Sequence, residues 1–246
     1  MNFKNKHSLG QNFLENDEIL NNIINAVNIS NNDIIVEIGP GMGSLTKKLK
    51  AFNQQLYAFE LDERTKPYLD KLVDDKTKLI FKDFLNVDLK EYIKNNERVH
   101  VIANIPYYIT TPIINHILQS NINVVDMTLM VQNEVADRLA SSPGCKNYGY
   151  ITAYLDYYYQ IKKLFVVDRK YFNPVPSVDS ALIQLTKINR LNKANDENKL
   201  NILLKDAFQY KRKNLKNNLS KYNIGIINEI LNGYNLDVSC RAEDLS

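Results

Sequence analysis

The chain has 246 residues, which suits one large domain or one domain with a small appendage. Apolar residues make up 44% and charged residues 24%, with 8 glycines and 7 prolines, so disordered and collagenous classes are set aside. The net charge of +3 points to no partner by itself, and no apolar run is long enough to read as a membrane-spanning helix.

The opening stretch MNFKNKHSLGQNF is basic and lacks the apolar segment of a secretory signal. Cys145 and Cys240 lie far apart and outside any CxxC pattern, so neither a disulfide nor a zinc site is expected, and a cytoplasmic location is. His7, His100 and His116 read as surface or core positions, and no metal centre is expected.

Taken in chain order, DIIVEIG (33–39), QLYAFELD (55–62), KLIFKDF (78–84), VHVIANI (99–105) and MTLMVQ (127–132) read as strands. Between them, GSLTKKLKAF, ERTKPYLDKLV and TPIINHILQS read as helices. YGYITAYLDYYYQ reads as a further helix, and two more strands are expected near 161–168 and 181–188. This alternation predicts an α/β fold, a doubly wound parallel sheet with helices on both faces. NRLNKANDEN reads as a linker, and the segments from about 197 onward are helical. The division is therefore a domain over 1–188 and a small all-helical C-terminal domain over 189–246.

Motifs sit at the strand ends. The first strand runs into VEIGPGMGSL, where Gly39, Gly41 and Gly43 permit a tight turn and close backbone approach by a ligand. A dinucleotide fingerprint requires a glycine three residues after Gly41, and Ser44 stands there instead. Glu60 closes the second strand, where a carboxylate accepts from both hydroxyls of a ribose. Asp83 closes the third, where a carboxylate accepts from an exocyclic amine. Together they point to a cofactor containing adenosine.

The fourth strand ends in NIPYYITTP. An adenine amine is a poor nucleophile because its lone pair is delocalised into the ring. Two acceptors on its N–H groups favour a pyramidal nitrogen, and the Asn104 side chain and the Ile105 carbonyl supply them. Pro106 biases Ile105 towards an extended backbone, and Tyr107 offers a face for stacking on an extruded base. The product ammonium is acidic, so no strong base is needed, and the methyl sulfonium of S-adenosylmethionine is the matching electrophile. Catalysis then rests on alignment and desolvation.

Near the C-terminus, KRKNLKNNLSK (211–221) carries five basic residues and no acidic one. Some of Lys211, Arg212, Lys213 and Lys216 are expected to share a helical face, and the four are expected to meet RNA phosphates.

GQNFL (10–14), VEIGPGMGSLT (36–46), NIPYYITTPI (104–113), KNYGYIT (146–152), YFNPVPSVDSAL (171–182), FQYKRKNLKNNL (208–219) and RAEDLS (241–246) resemble the small-subunit ribosomal RNA adenine dimethyltransferases of the KsgA type. The resemblance spans nearly the whole chain. It implies a seven-stranded Rossmann-like S-adenosylmethionine-dependent methyltransferase domain with a helical rRNA-binding domain. It also implies dimethylation of two adjacent adenosines in the 3′-terminal hairpin loop of small-subunit rRNA, within a pre-30S particle, by a monomer. Carried over, it places Asn12 and Leu14 at the methionine part of the cofactor and Gly39 beneath it. Glu60 falls at the ribose, Asp83 at the adenine, and Asn104 between cofactor and target amine. Phe172 is then expected to stack on the target base opposite Tyr107. Tyr108 and Thr110 depart from the Asn and Ser common in such relatives. An Erm-type large-subunit rRNA adenine methyltransferase and a non-catalytic ribosome-assembly factor are the alternatives.

Overall fold

Runs of β-branched and aromatic residues become strands where the periodicity places them, and the parallel ones are buried on both faces. The structure, a computed structural model, describes residues 10–94, 96–191 and 193–245; His7 and Ser246 lie outside them. The strands are β1 (Phe13–Leu14), β2 (Ile34–Ile38), β3 (Gln55–Glu60), β4 (Thr77–Phe81), β5 (Val99–Asn104), β6 (Val124–Gln132), β7 (Tyr159–Val167), β8 (Phe172–Asn173) and β9 (Ser180–Lys187). The helices are α1 (Asp17–Asn25), α2 (Ser44–Leu49), α3 (Lys66–Leu69), α4 (Thr110–Gln119), α5 (Asn133–Leu139), α6 (Tyr150–Asp156), α7 (Glu197–Ala207), α8 (Leu215–Asn218) and α9 (Ile224–Asn232).

The main sheet has the order β4–β3–β2–β5–β6–β9–β7, and β1 pairs with β8 apart from it. Neighbours from β4 to β6 run parallel, while β9 runs antiparallel to β6. The sheet is therefore mixed, not wholly parallel as expected. Asn133 N–H donates to the Asp179 carbonyl at 3.0 Å, so β9 starts beside the end of β6 and runs back along it. The chain turns outward in opposite directions from β2 and β5. That adjacent pair is the switch point, where crevices open at strand carboxyl ends.

The sequence reading passed over α1. Its signals are present: Asn16 caps it by accepting from Ile19 N–H at 3.0 Å, and Asp17 and Glu18 follow in the first turn. Ile19, Leu20 and Ile23 then face a core shared with Ile35, Leu56 and Ile102 of the sheet.

The chain divides into two compact units, one of residues up to 136 with 162–187, the other of 137–161 with the chain from 188. The division at 188/189 read from sequence misses the segment 137–161. Its tyrosines explain the membership. Tyr150 donates to Asn201 at 2.5 Å, Tyr158 donates to Glu197 at 3.1 Å, and Tyr157 accepts from Ala194 N–H at 2.7 Å. No helix among the described residues is long and apolar enough to cross a membrane.

One buried cluster holds the sheet. His100 on β5 is 1% exposed, with Nδ1 at 2.7 Å from Asp126 and Nε2 at 2.8 Å from Asp33. Burial opposes a charged imidazole, but the hydrogen bonds and charges of Asp126 and Asp33 outweigh it and raise its pKa. A raised histidine pKa stabilises the fold fully below the unfolded value and loses that contribution as pH rises through the folded one. His100→Ala leaves the buried Asp126 carboxylate without its imidazole partner, while Asp33 keeps Arg98 and the Ser30 N–H, and is expected to lower stability at pH 6 by about 3 kcal/mol, measured by urea unfolding. The deficit should shrink in more alkaline solution; a constant deficit would assign the loss to packing alone.

Candidate active site

The glycine loop leaves β2 through positive-φ residues, with Gly39 at +69° and Gly41 at +57°. A Cβ on Gly41 would lie 2.7 Å from the Phe13 ring, so that ring rests on the loop because no side chain intervenes. A Cβ on Gly39 would meet nothing nearer than the Asn104 carbonyl at 4.0 Å. A side chain at Gly39 would thus reach ordinary van der Waals contact with the end of β5. Glu60, at the end of β3, is 7% exposed. Its carboxylate accepts from Gly41 N–H at 2.9 Å and from Asp62 N–H at 2.8 Å, leaving acceptor capacity for further donors. Burial pushes its pKa up, opposed by those backbone bonds.

A strap formed by residues 10–14 lies along this cleft. Gln11 donates to Asp62 at 2.7 Å. Arg64 holds the Asp62 carboxyl down to about 2 against the effect of burial, with Gln11 assisting. Asn104 Nδ2 donates to the Asn12 carbonyl at 3.0 Å. A carbonyl can only accept, so this bond fixes the amide orientation and leaves Oδ1 as the group available to a donor. Ile105 is buried at 1%, and Pro106 adopts φ −58° and ψ 131°. The Tyr107 hydroxyl meets Ser180 Oγ at 2.5 Å, which anchors the ring from β9. Asp83 lines the same cleft, and its carboxylate also accepts from Leu85 N–H at 3.0 Å and from Asn86 at 3.2 Å. It is a cap as well as a lining group.

This set fits an adenosine-bearing cofactor: carboxylates at two adjacent strand ends, a glycine that leaves room, and an oriented amide. The model of the ribosomal RNA adenine dimethylase family matches residues 2–240. The chain belongs to that family. A ribosomal RNA small subunit methyltransferase A of Fusobacterium nucleatum is 42% identical, over 100% of this chain and 95% of its own. One of Enterococcus faecalis is 38% identical, over 99% and 87%. The fold is also that of a dimethyladenosine transferase from Plasmodium falciparum (TM-score 0.79, 24% identity, 95% of this chain and 92% of that one). The 23S rRNA methyltransferase ErmE shares it as well (TM-score 0.76, 22% identity, 96% and 95%).

Within this adenine dimethylase chain, Asn12, Gly39, Glu60, Asp83, Asn104, Ile105, Pro106 and Tyr107 all line one cleft. Leu14 lies instead in a smaller neighbouring cavity that shares Phe13, Gly39 and Asn104 with the cleft. Phe172 requires a correction. It is 2% exposed and packs with Leu14, Leu20 and Ile23, because the β1–β8 pair turns it inward beside Leu14. Here it belongs to the core cluster and is not among the residues that line the cleft. The basic segment needs one too. Lys211, Arg212 and Lys213 occupy turns, and only Lys216 lies on α8. The cause is Asn218, whose amide donates to the carbonyls of Ala207, Tyr210 and Lys213 at 2.7, 3.2 and 3.3 Å and so holds the chain in a turn. Lys211 donates to the Lys146 carbonyl and sits 3.9 Å from Glu243. Sequence reasoning also missed Gln11, Phe13, Leu61 and Leu85 as lining groups. The 52% exposure of an apolar Leu61 is a signal only the structure provides.

Glu37 stands in the middle of β2, 1% exposed, and Oε2 has no hydrogen-bond partner. Burial pushes its pKa from the ordinary 4.5 to about 8, opposed by Thr46 and reinforced by Glu60. The folded state therefore holds this proton more tightly, and stability falls as pH rises from 4.5 to about 8. Glu37→Gln is expected to flatten the fall between about pH 5 and 6, an interval below the ordinary histidine value of about 6.5. Urea unfolding across that interval measures it, and an unchanged slope would mean that Glu37 ionises freely when folded.

Proposed function

We propose that this chain transfers methyl groups from S-adenosylmethionine to the exocyclic N6 of two adjacent adenosines. The substrate is the 3′-terminal hairpin loop of small-subunit rRNA, met as a monomer on a pre-30S particle in the cytoplasm. The observation that carries the reading is the oriented Asn104 amide at the end of β5. The family membership supports the reaction. The relatives near 40% identity support the small subunit over the large one, a choice the fold shared with ErmE leaves open.

Bound there, the cofactor supplies a methyl group on a sulfonium. The protein's part is placement. Glu60 takes the ribose hydroxyls, Asp83 the adenine amine, and Gly39 leaves the space between. Asn104 Oδ1 and the Ile105 carbonyl accept the two N–H groups of the target amine, which frees its lone pair. Pro106 keeps that carbonyl in place, and the Tyr107 ring, braced by Ser180, stacks on the base. The proton leaves from an acidic ammonium to water, so a strong base is not required.

Asn104→Ala is expected to reduce methyl transfer to small-subunit particles by at least about 100-fold, the scale for losing one pre-positioned group at a reaction centre. RNA binding should be retained, so labelled-methyl incorporation and filter binding are read together. Turnover near the wild-type rate would make Asn104 structural.

The basic segment is proposed to bind rRNA phosphates through Arg212, Lys213 and Lys216, all exposed. Three phosphate contacts contribute about 0.7–0.9 each to the salt slope. Replacing the three with Gln is expected to make the log–log slope shallower by about 2–3, with S-adenosylmethionine affinity unchanged. Particle binding at three salt concentrations measures it; an unaltered slope would leave the segment a solvated surface.

A further inference from the structure

The burial of Phe172 leaves a question about how an RNA strand is held at the cleft. An adenine lifted out of its stack loses the faces of its neighbours, and those neighbours lose one of theirs. Flat apolar surface at the mouth compensates for that loss. The described aromatic residues lining the cleft are Phe13, Phe59, Phe84, Tyr107 and Tyr108. Phe59 and Phe84 are buried at 1% and 5%. Phe13 is committed to Gly41 and Tyr107 to Ser180. Tyr108 alone among these five is exposed, at 60%.

Tyr108 is also held. It lies on the short turn Tyr107–Ile109, ahead of α4. A Cβ on Gly10 would fall 2.9 Å from its Cε1 and 3.3 Å from the Pro106 Cβ, so the ring lies against a residue that has no side chain. Gly10 adopts φ +59°, which suits glycine in any case. A large aromatic surface is thus fixed at the rim and left open to solvent, next in sequence to the ring assigned to the target base.

We propose that Tyr108 is a second stacking platform, which takes the nucleobase flanking the adenine presented to Asn104. The inference rests on the reading of the cleft as an adenine-methylating site. Consecutive rings at consecutive residues receive consecutive bases of a single strand. Stacking of this kind tolerates any base, since each has a π face. Tyr108 therefore sets affinity for an unpaired strand rather than the choice of nucleotide.

The experiment uses the full chain and pre-30S particles whose 3′-terminal rRNA hairpin, with two adjacent adenosines in its loop, carries the probe. The fluorescent adenine analogue 2-aminopurine is placed at the target position in one RNA and at the flanking position in another. Wild type is expected to change the fluorescence of both probes. Tyr108→Ala should abolish the response of the flanking probe, keep that of the target probe, and raise KM for the RNA about tenfold, within the range for loss of one base–aromatic stack. Tyr108→Phe should restore both, because the ring and not the hydroxyl is used. A thermal unfolding midpoint equal to that of wild type separates this from misfolding, and Tyr108→Asn provides a second, polar replacement. A flanking response that survives in both the Ala and Asn variants, with KM unchanged, overturns the proposal. Silence of both probes with wild type overturns the methylation reading itself, and this proposal with it.

Discussion

The hydrogen bond from Asn104 Nδ2 to the Asn12 carbonyl decides what the cleft can do. An amide side chain has a donor end and an acceptor end, and only the acceptor end helps an adenine amine attack. The bond commits the donor end to the backbone of the strap. It also ties the strap to the candidate site through a backbone carbonyl. Gln11 on Asp62 and Phe13 on Gly41 hold that strap in place. Asp62 N–H in turn holds Glu60, so the amide proposed to meet the target and the carboxylate proposed for the ribose belong to one connected network.

The sheet beneath supports this at a cost in buried charge. Glu37 and His100 lie on neighbouring central strands, both 1% exposed, and their environments differ. His100 has a carboxylate on each ring nitrogen, so its charge is retained. Glu37 has a bare oxygen, so its charge is suppressed. Each places a titratable group inside a region that periodicity alone would fill with apolar residues. The strand pattern survives because β-branched neighbours supply the remaining burial.

Legibility from sequence followed the range of the contacts. β2 to β6 and α4 were readable because each is a local pattern with a turn signal at its end. Glu60, Asp83 and Asn104 were readable because each stands at a strand terminus with a chemistry suited to a strand-end site. Phe172 was not, since the motif around it says that an aromatic is required and not which way a two-residue strand turns it. The tyrosine-rich segment was readable as a helix but not as part of the second unit, because its partners Asn201 and Glu197 lie 51 and 39 residues away. The basic run suggested a helical face, and a single asparagine seven residues after Lys211 replaced that face with a turn.

The sequence by itself determined the α/β class, the order of strand and helix from β2 through β6, and the residue types that end those strands. These follow from patterns of a few residues, in which side chain and backbone preferences act over one or two turns. Only the tertiary structure decided the reversed direction of β9, the inward placement of Phe172, the outward placement of Tyr108 and the acceptor orientation of Asn104. Each of these depends on a partner distant in the chain, as with Asn104 and Asn12 at a separation of 92 residues. A hydrogen bond of that kind is set by where two strands come together, and no local periodicity records it.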